Sequence, residues 1–504
     1  MFDYLKRRPM LLCALMVSAV SVMGIYAEKA LLCFCPLILL AIFVMLYKSV
    51  KGEIVLSFIL VLLVGVSTLF ATKNVNSTAA LDGSICTGEF IVVEEPVNHG
   101  DYYSVTLEAV DCNLLDKGAK IAASYSRGDF HLAERMTATI ELKTLEKYES
   151  KYSFYSNGIF HKGYIEKFKF MGNDDTVLSA VGKIRDYIKR EIFKYYGTGE
   201  AATMLALITG DRSYFTNDFY SNVKASGVAH VMVVSGMHLS IIVSFVLMFT
   251  NKLFHNRYFK ALVILFVTLA VMTICGFTMS IMRAGVTYVF MALALVLGRE
   301  STPENTLGAA VSMILLFNPL AIMNVAFQLS VLSTFAILCV ALPVGDYIAK
   351  CELIKSKALN SVLSLVLISI SALIFTAPVV IYIFGYISNV SIITNLLIDS
   401  PSSLAMSLCV LGFIIPPLKP ILFFLSNVIV SYMNFVINFF GSLPFATTDT
   451  PRPLAFVTVI IIVAILWILI ACKNKINVIK LNEIRLKKHN ERGKLKWQSS
   501  PNKP

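Results

Sequence analysis

The chain has 504 residues, 57% of them hydrophobic and 15% charged, with a mean hydropathy of +0.72 and a net charge of +12. That balance excludes a water-soluble globule and a disordered chain, and it describes a polytopic membrane protein. The ten cysteines include no C-x-x-C pair, so neither a zinc site nor any other metal is expected.

Three apolar runs open the chain, at about 11–27, 30–47 and 53–71. Each is long enough to cross roughly 30 Å of hydrocarbon at about 1.5 Å per residue. Lys6, Arg7 and Arg8 precede the first, and Lys48 and Lys51 follow the second. The positive-inside rule puts both groups in the cytoplasm and sends the chain outside after Ala71. Residues 1–71 therefore read as an N-terminal block of three transmembrane helices.

Residues 72–180 are polar, with alternating runs at Thr87–Val93, Tyr102–Val110, Ala119–Tyr125 and Met136–Leu142 separated by Gly/Asp/Asn turns. Short strands at this spacing predict an inserted extracytoplasmic all-β domain, a small OB-like barrel. Cys86 and Cys112 flank its first hairpin and are candidates for a disulfide in an oxidising exterior. From Lys147 to Phe170 basic and aromatic residues interleave. Tyr152, Tyr155, Phe160 and Tyr164 could stack bases there, with Lys151, Lys162 and Lys167 on phosphates. Barrel-core aromatics would give the same pattern, and Glu94, Glu95, Asp101, Glu108 and Asp111 make the first half of the domain acidic.

Residues 181–225 read as amphipathic interfacial helices, with Ile184, Ile188 and Ile192 on one face and Arg185, Lys189 and Arg190 beside it. Residues 226–472 form the membrane core. Its expected spans are about 228–250, 259–277, 280–298, 306–323, 325–343, 359–385, 388–414, 418–441 and 453–472. Nine crossings bring the total to about 12 spans and end the chain inside, where 473–504 is a basic cytoplasmic tail. A re-entrant pair at 306–343 would keep the same parity.

Several polar residues lie where lipid would be. Such groups face protein or water, because a charge at a helix centre costs roughly 2.5–3.5 kcal/mol on the insertion scale. Ser235 and His238 share a face of the span expected at 228–250, His230 precedes them, and Gly236 permits close helix approach. Arg283 stands a few residues inside its segment, with Asp399 as a candidate partner. Gln328, Ser330 and Asn395 are uncharged donors and acceptors at depth. A water-filled polar path, a Ser235/His238 nucleophile pair and plain interhelical hydrogen bonding all remain open.

The order of motifs adds a resemblance. Gly210-Asp211-Arg212-Ser213 is followed by Ser226-Gly227-Val228-Ala229-His230 and Val234-Ser235-Gly236-Met237-His238. Arg283-Ala284, Asn318-Pro319, Gln328-Leu329-Ser330, Ala377-Pro378, Phe384-Gly385, Asn395 and Pro401 come after them. Over about residues 80–445 this pattern resembles the ComEC-type competence family, which internalises DNA. The resemblance implies a plasma-membrane channel that passes single-stranded DNA along Asp211, Arg212, His230, Ser235, Gly236, His238, Arg283, Gln328, Ser330 and Asn395. It also implies a surface DNA receptor, a cytoplasmic ATPase or helicase and contacts with membrane lipids, and a homo-oligomeric pore fits the same role. Many such proteins carry a C-terminal metallo-β-lactamase-like domain, and this chain is expected to be a member without one. No G-x-x-x-x-G-K-[ST], H-x-H-x-D-H or H-E-x-x-H occurs, so neither a cofactor nor enzymatic activity is expected. The alternatives are a membrane-embedded hydrolase using Ser235/His238 and a small-solute permease.

Overall fold

The computed structural model describes residues 9–26, 51–78 and 81–465, apart from 99–101, 127–129, 146–147, 149–150, 174–176, 233, 254–255 and 351–355. The span expected at 30–47 and the basic tail lie outside the described residues.

Two long helices open the fold, α1 (Pro9–Tyr26) and α2 (Lys51–Thr78). The polar region then folds into strands β1 (Ile85–Val92), β2 (Val97–Asn98), β3 (Tyr103–Cys112), β4 (Lys120–Tyr125), β5 (Glu134–Thr144) and β6 (Ile159–Asn173), with a short helix α3 (Lys151–Ser156) between β5 and β6. Five strands pair in the order β1-β5-β6-β4-β3, and β1 pairs β3 as well, which closes the sheet into a barrel. Its pairs are antiparallel except β4–β6, which is parallel. Alternation puts Phe90, Leu107, Ile121, Met136, Ile140 and Leu142 inside, each fully buried. The basic and aromatic stretch read as a stacking surface is largely α3 and β6, the longest strand.

The membrane core begins with amphipathic α4 (Val177–Tyr195), which buries Val181, Ile188 and Ile192. Apolar α5 (Thr198–Ile208) and capped α6 (Asn217–Ala225) follow. Next come α7 (Gly236–Leu253), α8 (Arg257–Ile274), α9 (Met279–Leu297), α10 (Pro303–Phe317), a 3-10 turn (Pro319–Met323) and α11 (Val325–Ala336). A π turn (Ile337–Ala341) leads into α12 (Leu342–Lys350), and then come α13 (Lys357–Phe384), β7 (Tyr386–Ser388), α14 (Ser391–Ile414), α15 (Lys419–Gly441) and β8 (Thr447–Asp449). Six helical stretches among the described residues are long and apolar enough to cross a membrane, and five shorter ones are apolar. The chain is therefore a multi-pass membrane protein. The structure differs from the expected 228–250 span at its start, where helix begins only at Gly236. Gly227 takes φ +79°, a left-handed turn that suits glycine and ends the helical run after Ala225.

Helices approach closely where side chains are absent. A Cβ on Gly308 would collide with the backbone of Met10 and Leu11, so glycine is what lets α10 lie against α1.

The barrel meets the core through several of its loops, and Leu132 of the β4–β5 loop lies against Gly182 of α4. From the β5–β6 loop, α3 lies against the 3-10 turn. Asn318 Nδ2 donates to the Ser156 carbonyl, and Asn324 Nδ2 donates to Ser156 Oγ at 2.7 Å. Asn324 also caps α11 by accepting from the Phe327 amide at 3.2 Å. Tyr155 packs beside Leu320 in the same contact. From the loop after β1, Glu95 reaches Arg185 of α4 (3.8 Å), and Arg185 Nε donates to the Ile274 carbonyl at 2.7 Å.

Burial holds the Glu95 carboxyl above the usual carboxylate range, and the Asp211 carboxyl beside it pushes the same way, while Arg185 and Lys189 oppose. A raised carboxyl contributes stability that is complete below the ordinary carboxylate range and is lost as pH rises through its folded-state titration. Thermal melting of the detergent-solubilised protein should thus show a lower midpoint as pH rises from acid to neutral, and Glu95→Gln should remove part of that fall. Identical pH profiles for the two proteins would contradict it. Asn324→Ala removes both a cap and the bond to Ser156, a loss on the order of 1–3 kcal/mol. Limited proteolysis should then cut the α3 loop faster than in wild type.

Candidate functional site

The site is built where several core helices begin. Gly210 ends the α5 exit with φ +81°. Asp211 then holds the turn, accepting from the Ser213 amide at 2.9 Å and the Ser213 hydroxyl at 2.6 Å. Arg212 is exposed. The Ser226–His230 loop is clamped by α14 and β7: Thr394 Oγ1 of α14 donates to the Ser226 carbonyl (2.6 Å), and Ser388 Oγ of β7 donates to the Ala225 carbonyl (2.7 Å).

Ser235 precedes α7 rather than lying within it. Its backbone amide donates to His238 Nδ1 at 3.1 Å, a side-chain cap on the first turn. The expected shared helix face is therefore replaced by a capping contact, and no hydrogen bond joins the Ser235 hydroxyl to the imidazole. His238 is fully buried, and its Nε2 has no partner among the described residues. Asn395 Oδ1 and Asp399 Oδ1 on α14 are also buried without partners. His230, exposed, couples electrostatically to both His238 and Asp399. Pro401 supplies no amide, so the carbonyl of Leu397 loses its helical donor, and the Ser402 and Ser403 hydroxyls donate to the Asp399 carbonyl (2.8 and 2.9 Å). Together these groups form a polar seam between α14 and the 226–238 segment.

Arg283, on the second turn of α9, is 8% exposed. Its Nε donates to Ser330 Oγ of α11 at 2.9 Å, and Ser280 Oγ donates to the same hydroxyl at 3.2 Å. Gly236 faces it so closely that a Cβ there would lie 2.7 Å from Nη2. Asp399 is not its partner. Ion pairs form elsewhere, as at Lys143–Glu141, Arg185–Glu95 and Lys419–Glu191. Gln328 is half-buried, and its Nε2 donates to the Ile322 carbonyl at 2.7 Å, which closes the 3-10 turn.

In the barrel, Tyr155 is 2% exposed, and Tyr152 and Phe160 pack with it against Leu320 and Ala71. Lys162 sits 4.1 Å from the Tyr148 ring centroid, Lys151 5.3 Å from that of Tyr152, and Tyr164 alone of the four expected stacking aromatics is exposed. An open cleft of about 580 Å³ runs over the β1-β5-β6 wall. Strand register sets Thr87, Thr139 and Lys167 in one row and Glu89, Thr137 and Lys169 in the next. Cys86 and Cys112 are free thiols within hydrogen-bonding reach of each other, and burial, with Cys112 beside it, pushes the Cys86 thiol up to about 12.

Sequence reading missed the Glu95–Arg185–Asp211 contact and the role of Ser280. An arginine on an amphipathic face carries no mark of its partner. Ser280, three residues before Arg283, was the one available hint.

Among the described residues no group of three or more His, Cys, Asp or Glu is placed to hold a metal ion. No solved structure matches the chain significantly. It is 27% identical over 194 residues to ComE operon protein 3 of Bacillus subtilis (strain 168), covering 38% of this chain and 23% of that protein. It is 28% identical over 200 residues to the uncharacterized protein MG316 of Mycoplasma genitalium, covering 40% of this chain and 48% of that one. The match thus spans under half the length of either relative. The model of the Competence family, described as competence protein, matches residues 207–475, just over half of the chain, and so takes in Asp211, His238, Arg283, Ser330 and Asn395. The chain belongs to the Competence protein family.

Proposed function

We propose that this protein passes single-stranded DNA across the cell membrane into the cytoplasm during natural transformation. The observation that carries this reading is the buried polar seam. His238, Asn395 and Asp399 keep buried polar atoms without hydrogen-bond partners among the described residues, and the buried Arg283 has a serine hydroxyl rather than a carboxylate. In lipid such groups persist where they line water or a ligand path. Family membership supplies the cargo, since ComEC-type proteins internalise DNA.

In this reading about 12 spans form the membrane part, with the barrel outside and the basic tail inside. The barrel's strand order, with its single parallel closure, supports an OB-like domain that guides the strand. Its exposed Thr and Lys rows, which include Lys167, are the surface offered to a backbone. In an oxidising exterior a Cys86–Cys112 bridge would tie β1 to β3. A surface receptor would deliver DNA and a cytoplasmic ATPase would pull it. The chain then works as a channel and not as an enzyme. The capping geometry at Ser235 supports that view over a hydrolase, because the hydroxyl is not bonded to the imidazole that would activate it.

The test is uptake of labelled DNA in a deletion strain complemented with variants that still insert. His238→Ala should cut transformation at least tenfold, and Ser235→Ala should leave it within about threefold of wild type, because the contact uses the backbone amide. Normal uptake in the deletion strain would overturn the channel reading. Abolition by Ser235→Ala with DNA binding intact would favour the hydrolase.

A further inference from the structure

The contact around Arg283 includes one positive end, the start of α7 at Gly236, while the start of α11 is already capped by Asn324. Gly236 opens α7, Arg283 is the fifth residue of α9, and Ser330 is the sixth of α11. The first-turn amides of a helix have no intrahelical acceptor, and each helix start behaves as roughly half a positive charge. The Nη2 atom of Arg283 points at the first residue of α7, as the 2.7 Å to a Cβ position on Gly236 records. A buried guanidinium is thus aimed at another positive pole. A side chain under a tenth exposed would normally meet a carboxylate. Here Nε has the neutral Ser330 hydroxyl, the Nη atoms hydrogen-bond to nothing among the described residues, and no carboxylate there pairs with it. Nor does Thr278 cap α9 with its side chain. Planar guanidinium donors together with helix-start amides match the oxygens of a phosphate.

We infer that Arg283, the α7 start at Gly236–His238 and Ser330 form a binding site for one phosphodiester monoanion. This deepens the channel reading and rests on it for the cargo, because the same chemistry is offered by a nucleic-acid backbone and by a phospholipid headgroup. Arg283 is the group that touches the anion. Ser330 and Ser280 are positioning residues that hold the guanidinium in place. Gly236 is needed because a Cβ there would lie 2.7 Å from Nη2 and 3.0 Å from the Ala284 side chain, and would push the guanidinium away from the α7 start. The site stands at the end of the core that carries the barrel, since the neighbouring Asn324 of α11 bonds Ser156 of α3. An anion held there is the first buried station for a strand leaving the barrel.

The test uses the full chain purified in a non-ionic detergent, with three probes: fluorescent tetrathymidylate, inorganic phosphate as competitor, and soluble dihexanoyl-phosphatidylglycerol. Wild type should bind tetrathymidylate saturably, and millimolar phosphate should displace it. Arg283→Gln should weaken binding at least tenfold, Arg283→Lys should restore part of it, and Ser330→Ala should weaken it about threefold. Should Arg283→Gln not fold, Gly236→Ala keeps the charge while crowding Nη2 and should also weaken binding. Loss of tetrathymidylate binding assigns the site to a nucleic-acid backbone. Loss of phosphatidylglycerol binding alone assigns it to a lipid headgroup. Unchanged affinity for both probes in Arg283→Gln, or in Gly236→Ala and Ser330→Ala together, overturns the inference. The transformation assay separates this from the channel reading. An Arg283→Gln strain that loses the anion yet takes up DNA normally would leave the site standing and remove it from the path.

Discussion

The arrangement depends on one constraint, the cost of keeping polar groups away from water in a bundle surrounded by lipid. Most of the core meets it by ordinary means. Serine and threonine hydroxyls return to carbonyls one turn back, as Thr287 does to Arg283 and Thr334 to Ser330. The seam between α14 and the 226–238 segment does not meet it, and neither does Arg283. A guanidinium without a carboxylate, an imidazole nitrogen without a donor or acceptor and two bare side-chain oxygens would each destabilise a helical bundle. Other buried polar atoms without partners, such as Thr268 Oγ1, Ser312 Oγ and Asn427 Oδ1, are scattered over the core, whereas His238, Asn395 and Asp399 lie on two neighbouring elements.

Two of the barrel's attachments lead toward Arg283. One runs from Ser156 through Asn324 to α11, the helix whose Ser330 receives Arg283 Nε. The other runs from Glu95 through Arg185 to the Ile274 carbonyl, at the end of α8 and a few residues before α9 begins. These two loops thus bear on the two helices that place the guanidinium. The contacts reach the ends of the helices that hold the guanidinium, joined to it through the backbone of α11 and of the α8–α9 turn. The aromatic residues of α3 serve the same end. Buried against the 3-10 turn, Tyr155 contributes apolar area to the joint and leaves the β1-β5-β6 wall as the open face.

Much of this was legible in the sequence, for identifiable reasons. Long apolar runs with punctuating charges mark spans, so α8, α9, α13, α14 and α15 fall within a few residues of expectation. Alternation located four strands. It missed β6, because Lys, Tyr and Phe interleave there without a clean two-residue period, and basic-aromatic spacing suits a strand and a stacking surface equally. The α7 start was misplaced because Val228, Val231, Met232 and Val234 are as apolar as a helix interior. Only the turn at Gly227 and the cap from His238 interrupt helix there, and hydropathy registers neither. Arg283 stood out at once as a charge in an apolar segment. Its surroundings did not, since a guanidinium's partners come from α7 and α11, dozens of residues away on each side. Gln328 is a polar residue at depth whose Nε2 is taken up by the local turn.

A path for a polyanion through this core would hold few cations, and that scarcity has a physical logic. A row of buried arginines would bind each phosphate strongly and would release it slowly. Conduction asks that a charged species be held well enough to enter and loosely enough to leave. In the proposed path, one guanidinium beside the α7 start would give a single electrostatic station, and imidazole, amide and hydroxyl groups would be neutral hydrogen-bonding partners. Partial charges at helix starts favour an anion without adding a mobile counter-ion, and they fall off within about a turn. A phosphate leaving Arg283 toward the His238–Asn395 seam would therefore exchange a charge-assisted contact for neutral ones. The energy for that step has to come from whatever draws the strand forward on the other side.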